Sequence, residues 1–387
     1  MSSTGLLGNH LIKAAVGLVA VAAGTAYVLF VQPPAPAPAA APSGTATTPE
    51  VAAAHAATVA ARSRTAPPAG VVEFGVHEPK PRTPGTFRLA TYNVENLFDD
   101  ADDPALDDRY ENDPGTKPDA HCRAAAEVIR RVDADVWAFQ EVESEAAIRW
   151  FLDRYVKDPT LKYITSIDAG DRRGIEQSVV SRFPITAAKN HPGITLEGVH
   201  PAEAAGRSIP QAGQPLVLHR SPLKVSITVP AGTGGAVRDY GMTLFVVHHK
   251  AGREYDYWRQ AEAAIVLSWV QDLERESPGR NIVILGDFNA RTDEPSFRTY
   301  TNAGLLDVFG DVPRGEPQWQ THASNRIIDH ILVNKAMRGE VVTDSRFVLG
   351  TPVRPRGSDW NTTPAPEGYA SDHFPVVVDI RPIDAAD

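Results

Sequence analysis

Asn281-Ile282-Val283-Ile284-Leu285-Gly286-Asp287-Phe288-Asn289 is a β-branched apolar run that stops on a glycine, an acid and an amide. Its length and its Ile/Val content predict a buried strand over Asn281 to Asp287. On an extended chain residues two apart share a face, so Asp287 and Asn289 are expected to point together while Phe288 packs inward. Gly286 admits a close backbone neighbour. Acids and amides fixed to a strand end can hold water, phosphate oxygen or a hard cation at a pocket mouth. Taken alone, the segment reads equally as a strand closing in an Asx turn.

The same pattern recurs along the chain. A strand over Phe87 to Tyr92 is followed by Asn93 and Glu95, and one over Asp135 to Gln140 by Glu141. Two carboxylates and an amide make an oxygen-rich set suited to Mg²⁺, with Mn²⁺ or Ca²⁺ as alternatives, rather than to a soft metal. His248 and His249 close the run Leu244 to Val247. Neighbours on a strand face opposite ways, so one of the two is expected to reach a pocket. Ser371-Asp372-His373 stands directly before Phe374-Pro375-Val376-Val377-Val378, which sets a carboxylate and an imidazole at a sheet edge. Asp329 lies inside the apolar strand Ile327 to Val333, where a carboxylate needs a partner. The imidazole of His373 would satisfy it and gain basicity, which makes His373 a candidate general base. His330 is expected to be structural. Arg172 and Arg173, in a Gly-flanked loop, either contact phosphate or are simply exposed, and the acidic stretch Asp99 to Asp108 is expected to be a solvated loop.

Strand-like and helical patterns alternate. Helices are predicted over His121 to Val132, Ser144 to Val156 with Ser144 as N-cap, and Tyr255 to Arg275. Strands are predicted over Ser178 to Phe183, Leu216 to Val229 with a break at Pro222, Tyr240 to His248, Val341 to Leu349 and Phe374 to Ile380. The glycine-rich turn Ala231 to Gly235 predicts antiparallel pairing, and the earlier strand-helix order predicts crossovers. A mixed arrangement with this many strands calls for two packed sheets with outer helices.

At 387 residues and 42% hydrophobic, the chain can build a substantial core. Its net charge of −10 draws in no polyanion, so such a substrate needs a local basic patch or bound cations. The single cysteine, Cys122, excludes an intrachain disulfide and a Cys-based zinc site. Residues 1–31 carry an apolar run, Ala14 to Val31, preceded by Lys13 and followed by no basic residue before Arg62. They predict a signal anchor with the remainder extracytoplasmic, in preference to a cleaved secretory signal. Residues 32–85, rich in Pro and Ala, are expected to be a disordered spacer, and residues 86–387 the catalytic domain. No protein partner is indicated.

Thr91-Tyr92-Asn93-Val94-Glu95-Asn96-Leu97-Phe98, Phe139-Gln140-Glu141-Val142, Val180 to Ile185, His248-His249-Lys250, Gly286 to Asn289, Ile328 to Leu332 and Ser371 to Pro375 together resemble the endonuclease/exonuclease/phosphatase superfamily, with its deoxyribonuclease I-like fold. The resemblance spans about Thr86 to Pro382. It implies a four-layer α/β sandwich, two packed mixed β-sheets flanked by helices, and Mg²⁺-assisted phosphate-ester hydrolysis. It further implies Glu141 as main metal ligand, with Asn93, Glu95 and Asp372 contributing directly or through water. Asp287 and Asn289 resemble the pair that positions water and phosphate. His248, chosen over His249 on this resemblance, and His373, oriented by Asp329, resemble the histidines that stabilise the phosphorane and handle protons. A phosphodiester substrate such as nucleic acid is implied. A phospholipid or phosphoinositide substrate, or a non-catalytic binding module, is the alternative.

Overall fold

The structure, a computed structural model, describes residues 70–101, 103, 117–359 and 362–383. They belong to one of the two units into which the chain divides, Ala57–Asp387. The expected anchor and most of the expected spacer lie outside the described residues. Among the described residues no helix is long and apolar enough to cross a membrane.

The apolar runs pair into two six-stranded sheets. One runs in the order Leu306–Asp307, Asp329–Val333, Asn281–Asp287, Tyr240–His248, Leu223–Val229, Ile185–Lys189. The other runs Val341–Val348, Val376–Ile380, Phe87–Leu97, Val136–Val142, Glu176–Ser181, Tyr163–Ser166. Each contains one parallel pair, Tyr240–His248 with Asn281–Asp287 and Phe87–Leu97 with Val136–Val142, among antiparallel ones. The sheets are therefore mixed, as expected.

Alternation along the strands explains the layering. Leu89, Val136 and Ala138 of one sheet and Val225, Leu244, Val246, Val283 and Leu285 of the other share one buried cluster between the sheets. The alternate residues face outward. Ala90, Tyr92, Trp137 and Phe139 pack with Ala125, Ile129 and Val132 of the helix Asp119–Val132. Phe245, Val247, Ile282 and Ile284 pack with Val266 and Val270 of the helix Asp256–Glu276. The result is a four-layer α/β sandwich, with runs buried on both faces because each sheet is covered on both sides.

The packed chain reaches back past Thr86, the expected start of the domain. Val71–Val72 pairs with Pro352–Val353, Phe74 is fully buried, and Arg88 pairs with Asp379 at 2.7 Å while donating to the Lys80 carbonyl at 3.1 Å. The predicted helix over Ser144 to Val156 is capped as expected, the Ser144 hydroxyl accepting from Ala147 N–H at 3.1 Å, but it changes to a π-helical turn over Leu152–Val156. The predicted strand Leu216 to Val229 is split: Pro215–Val217 pairs with Thr195–Val199, and only Leu223–Val229 enters a main sheet.

Gly286 holds the strand end that carries Asp287. Its φ is 137°, and a Cβ there would stand 2.1 Å from the carbonyl oxygen of Val247. Gly286→Ala is therefore expected to lower stability by about 2–4 kcal/mol through strain and overpacking, read as a lower denaturant midpoint. An unchanged midpoint would contradict this account of the strand end.

Candidate functional site

Pairing register brings the polar strand ends to one edge. His248 lies opposite Asp287, and Asp287 opposite Asp329, across three adjacent strands of one sheet. In the other sheet Asn93 lies opposite Gln140, the residue before Glu141. The parallel pairs end together, and the antiparallel strand Asp329–Val333 begins where they end, so distant residues converge.

Local backbone departs from regular strand here. Glu95, Asn96, Glu141 and Asn289 have φ of 52°, 51°, 63° and 47°, half of the positive-φ non-glycine residues among those described. Strain of this kind clusters where surrounding structure holds side chains for function. The strand expected to end at Tyr92 continues to Leu97, with a register shift between Asn93 and Leu97. Glu95 N–H donates to Asn93 Oδ1 at 3.0 Å, so Asn93 and Glu95 are related by a bulge and turn rather than by plain strand spacing.

Asp287 and Asn289 meet in the same way. The strand ends at Asp287, whose Oδ1 accepts from Asn289 N–H at 2.7 Å and whose Oδ2 accepts from Asn289 Nδ2 at 3.1 Å. Of the two readings open for this segment, the structure adopts the strand closing in an Asx turn. Phe288 does pack inward, against Phe297, Tyr300 and His330. Asn93 Nδ2 bridges the two sheets, donating to Asp287 Oδ2 at 3.2 Å and to Glu141 Oε1 at 3.4 Å.

The histidine pair separates as strand geometry requires. His248 Nε2 stands 3.5 Å from Asp287 Oδ2 and 3.6 Å from Glu141 Oε1. His249 turns to the other face, with Nδ1 3.2 Å from Glu262 and Nε2 2.9 Å from the Tyr300 hydroxyl. His373 Nδ1 bonds both oxygens of Asp329, at 2.9 and 3.0 Å, and its Nε2 lies 3.8 Å from Asp287 Oδ2 and 3.9 Å from Asp372 Oδ1. His330 bonds the Ala290 carbonyl at 3.0 Å beneath the site, as expected of a structural ring.

Burial and crowded charge move the ionisable groups apart. Burial pushes Asp287 up to about 7, with Asp329 and Glu141 adding to the rise against the opposing pull of His373. Burial, Asp372 and Glu141 likewise raise Glu95 to about 7, although Lys117 and the Tyr369 hydroxyl oppose them. Burial works to lower His373, but Asp329, Asp372 and Asp287 outweigh it and hold it well above the usual range. His248 is driven well below that range by burial and by Arg220, Arg173 and His373. Asp372 is held low despite burial, by His373 and His322.

The donor set fits a hard divalent cation. Glu141 keeps one oxygen on Asn96 N–H at 3.1 Å, and its nearest guanidinium, Arg173, is 3.7 Å away. The mutual repulsion that raises Glu95 is the kind a cation relieves. Glu95, Glu141 and Asp372 do not close into one tight knot, however. The groups of three whose ligand atoms lie within 4.8 Å among the described residues are His322-Asp372-His373 and Asp287-Asp329-His373. A hard divalent cation that keeps several waters and takes one or two carboxylates matches this spacing better than a fully protein-enclosed ion. Asn93 turns its amide nitrogen toward the carboxylates and its oxygen to Glu95 N–H, and so bridges the carboxylates as a donor.

A cleft of about 800 Å³ opens over this edge, lined by Glu95, Glu141, Arg173, His322, Asp372 and His373, with Arg354 and Arg356 on its wall. Arg172 is exposed and outside that lining. Four contributors are absent from the sequence motifs. Tyr369 donates its hydroxyl to Glu95 at 2.8 Å, and the Arg354 guanidinium sits 4.7 Å over the Tyr369 ring. Lys117, buried, bonds the carbonyls of Val94 and Ala370, the latter at 2.7 Å, beside Glu95. His322 lies 3.2 Å from Asp372. Of the acidic stretch, Asp100 pairs with Arg154 at 2.8 Å, and much of the remainder lies outside the described residues.

Comparison with known proteins gives a match to the model of the endonuclease/exonuclease/phosphatase family over residues 90–373. Among solved structures, the human Nocturnin catalytic domain is similar at 14% identity and TM-score 0.46, covering 76% of this chain and 94% of that one. Truncated Caenorhabditis elegans TDP2 gives 14% identity, TM-score 0.44 and coverages of 76% and 97%. A Bacteroides thetaiotaomicron mannosyl-6-phosphatase gives 17% identity, TM-score 0.46 and coverages of 76% and 99%. No curated protein matches.

Proposed function

Because the chain belongs to the endonuclease/exonuclease/phosphatase family, whose members are hydrolytic phosphoesterases, we propose that it is a divalent-cation-dependent phosphodiesterase, acting on nucleic acid outside the cytoplasm. The observation that carries the proposal is the meeting of Asn93, Glu141, His248, Asp287, Asp329 and His373 from two sheets within hydrogen-bond or ion-pair reach. A cation held by Glu141, with Glu95 and Asp372 acting through water, would supply charge for the phosphate oxygens.

The side chains divide the remaining work. Asp287, raised toward neutrality and aimed by the amides of Asn93 and Asn289, is suited to take a proton from the attacking water. His373, whose proton is retained by Asp329, is suited to donate to an equatorial phosphate oxygen as charge accumulates there. This replaces the general-base role expected of His373, since a ring held well above its usual range carries its proton at neutral pH. His248 is a neutral ring between Glu141 and Asp287 and serves as a second donor.

Nucleic acid is favoured by the wall of the cleft. With a net charge of −10, the protein needs local cations to hold a polyanion, and Arg173, Arg354 and Arg356 supply them beside the acids. None of the exposed large apolar side chains among the described residues lines the cleft, which weighs against a lipid substrate. The extracytoplasmic placement rests on the charge pattern of residues 1–31.

The purified protein is expected to cleave DNA or RNA and bis(p-nitrophenyl) phosphate with Mg²⁺ and to stop in EDTA. Absence of cleavage on all of these, and on sphingomyelin vesicles, would end the proposal. The double variant Arg354→Ala/Arg356→Ala is expected to lose about tenfold in kcat/KM per arginine on an oligonucleotide and to show a shallower salt dependence. Its rate on the small diester should fall much less. Equal losses on both substrates would refute the assignment of these arginines to holding a polyanion.

A further inference from the structure

His322 stands in no motif, yet it is built against the Ser371-Asp372-His373 corner like a strand neighbour. It bridges to His373, Ala323 N–H donates to the Asp372 carbonyl at 2.7 Å, and Phe374 N–H donates to the Thr321 carbonyl at 2.8 Å. The His322 ring meets the His373 ring edge-on, with centroids 4.5 Å apart at 88°. The same segment steadies Asp329, because the Thr321 hydroxyl accepts from its N–H at 3.1 Å.

The hydrogen bonds of the ring fix its chemistry. His322 Nδ1 accepts from Ser324 N–H at 2.9 Å. A ring nitrogen that accepts carries no proton, so in the neutral imidazole the proton is on Nε2. Nε2 lies 3.2 Å from Asp372 Oδ2, and the contact is therefore a donated hydrogen bond. A cation ligand would need its lone pair at Nε2, and the Ser324 amide has already committed the ring to the other tautomer. The short spacing of His322, Asp372 and His373, which alone would read as a nitrogen-containing metal knot, is explained without an ion.

We propose that His322 is a positioning residue: a neutral N–H donor, aimed by the Ser324 amide, that holds one oxygen of Asp372 and turns the other toward the cation-binding side of the cleft. The proposal rests on the reading of Asp372 as an outer contributor to a divalent-cation site. Its consequence is that cation affinity depends on a residue that never touches the ion. Groups that orient a metal-site carboxylate typically affect affinity about ten- to a hundredfold.

The test is Mn²⁺ binding to the full chain, followed by calorimetry without substrate, alongside kcat and KM on bis(p-nitrophenyl) phosphate. His322→Ala is expected to weaken Mn²⁺ about tenfold or more and to lower kcat with little change in KM. His322→Gln, whose amide N–H reaches the place of Nε2, should recover most of the loss, while His322→Asn, with its amide nearer the place of Nδ1, should not. Mn²⁺ affinity unchanged in the Ala variant would overturn the proposal. So would equal loss in the Gln and Ala variants with wild-type unfolding midpoints, which is the behaviour of a direct ligand. If the Ala variant does not fold, the Gln and Asn variants decide between these outcomes. Wild-type protein that neither binds Mn²⁺ nor cleaves any ester would refute the phosphodiesterase reading itself, a result distinct from either of these.

Discussion

Glu141→Gln is expected to reduce ester hydrolysis by about a thousandfold or more while leaving the fold in place. Gln keeps the shape and the acceptor that receives Asn96 N–H at 3.1 Å, so the bulge that orders Glu95 and Asn96 has no reason to open. What it removes is the full negative charge at the meeting point of the sheets, where Asn93, His248 and Arg173 approach one oxygen at 3.4, 3.6 and 3.7 Å. Lewis-acid stabilisation by a bound cation supplies several kcal/mol, and about 1.4 kcal/mol is a factor of ten in rate. Raising Mg²⁺ should restore part of the rate if weakened cation binding is the cause. Undiminished turnover in Glu141→Gln, measured beside an unchanged unfolding midpoint, would remove Glu141 from the machinery.

Asp329→Asn should cost about a hundred- to ten-thousandfold, the range for loss of a positioned proton donor. It should also change the shape of the pH profile. Asp329 is the first of the charges that raise His373 against the lowering effect of burial, so its removal lowers the affinity of that ring for its proton. Activity that requires the imidazolium is present below the His373 pKa and lost as pH rises through it. In the variant this alkaline limb therefore moves to lower pH. The acidic limb, where Asp287 titrates near 7 before a cation draws it down, should move the same way, since Asp329 also helps to raise Asp287. A variant that loses rate with both limbs unmoved would show that Asp329 holds the ring in place without setting its charge.

Much of this arrangement was legible in the sequence, and the exceptions have physical causes. Tyr240–His248 and Asn281–Asp287 are found at their predicted bounds because each is a β-branched run buried on both faces. Ile185–Lys189 and Tyr163–Ser166 were missed: they are edge strands with partly exposed faces, and Ile-Thr-Ala-Ala-Lys carries little apolar alternation. The helix Pro295–Asn302 is too short for its buried Phe297 and Tyr300 to set a period. At the site, the acids, amides and histidines stood at strand ends where a local pattern marks them. Tyr369, Lys117 and His322 had no such mark, because what makes them matter is a partner far along the chain. Tyr369 reaches Glu95 across 274 residues and Lys117 reaches Ala370 across 253. The bulge and Asx turn that set Asn93, Glu95, Asp287 and Asn289 depend on left-handed backbone at non-glycine positions, which residue type alone does not announce.

The most direct measurement is a crystal structure of the protein with Mn²⁺ and inorganic phosphate, with the metal located by anomalous scattering. The account predicts Mn²⁺ on Glu141, with the phosphate in the cleft within hydrogen-bond reach of His248 and His373. Mn²⁺ held instead by His322, Asp372 and His373, or phosphate bound away from Asp287, would contradict it.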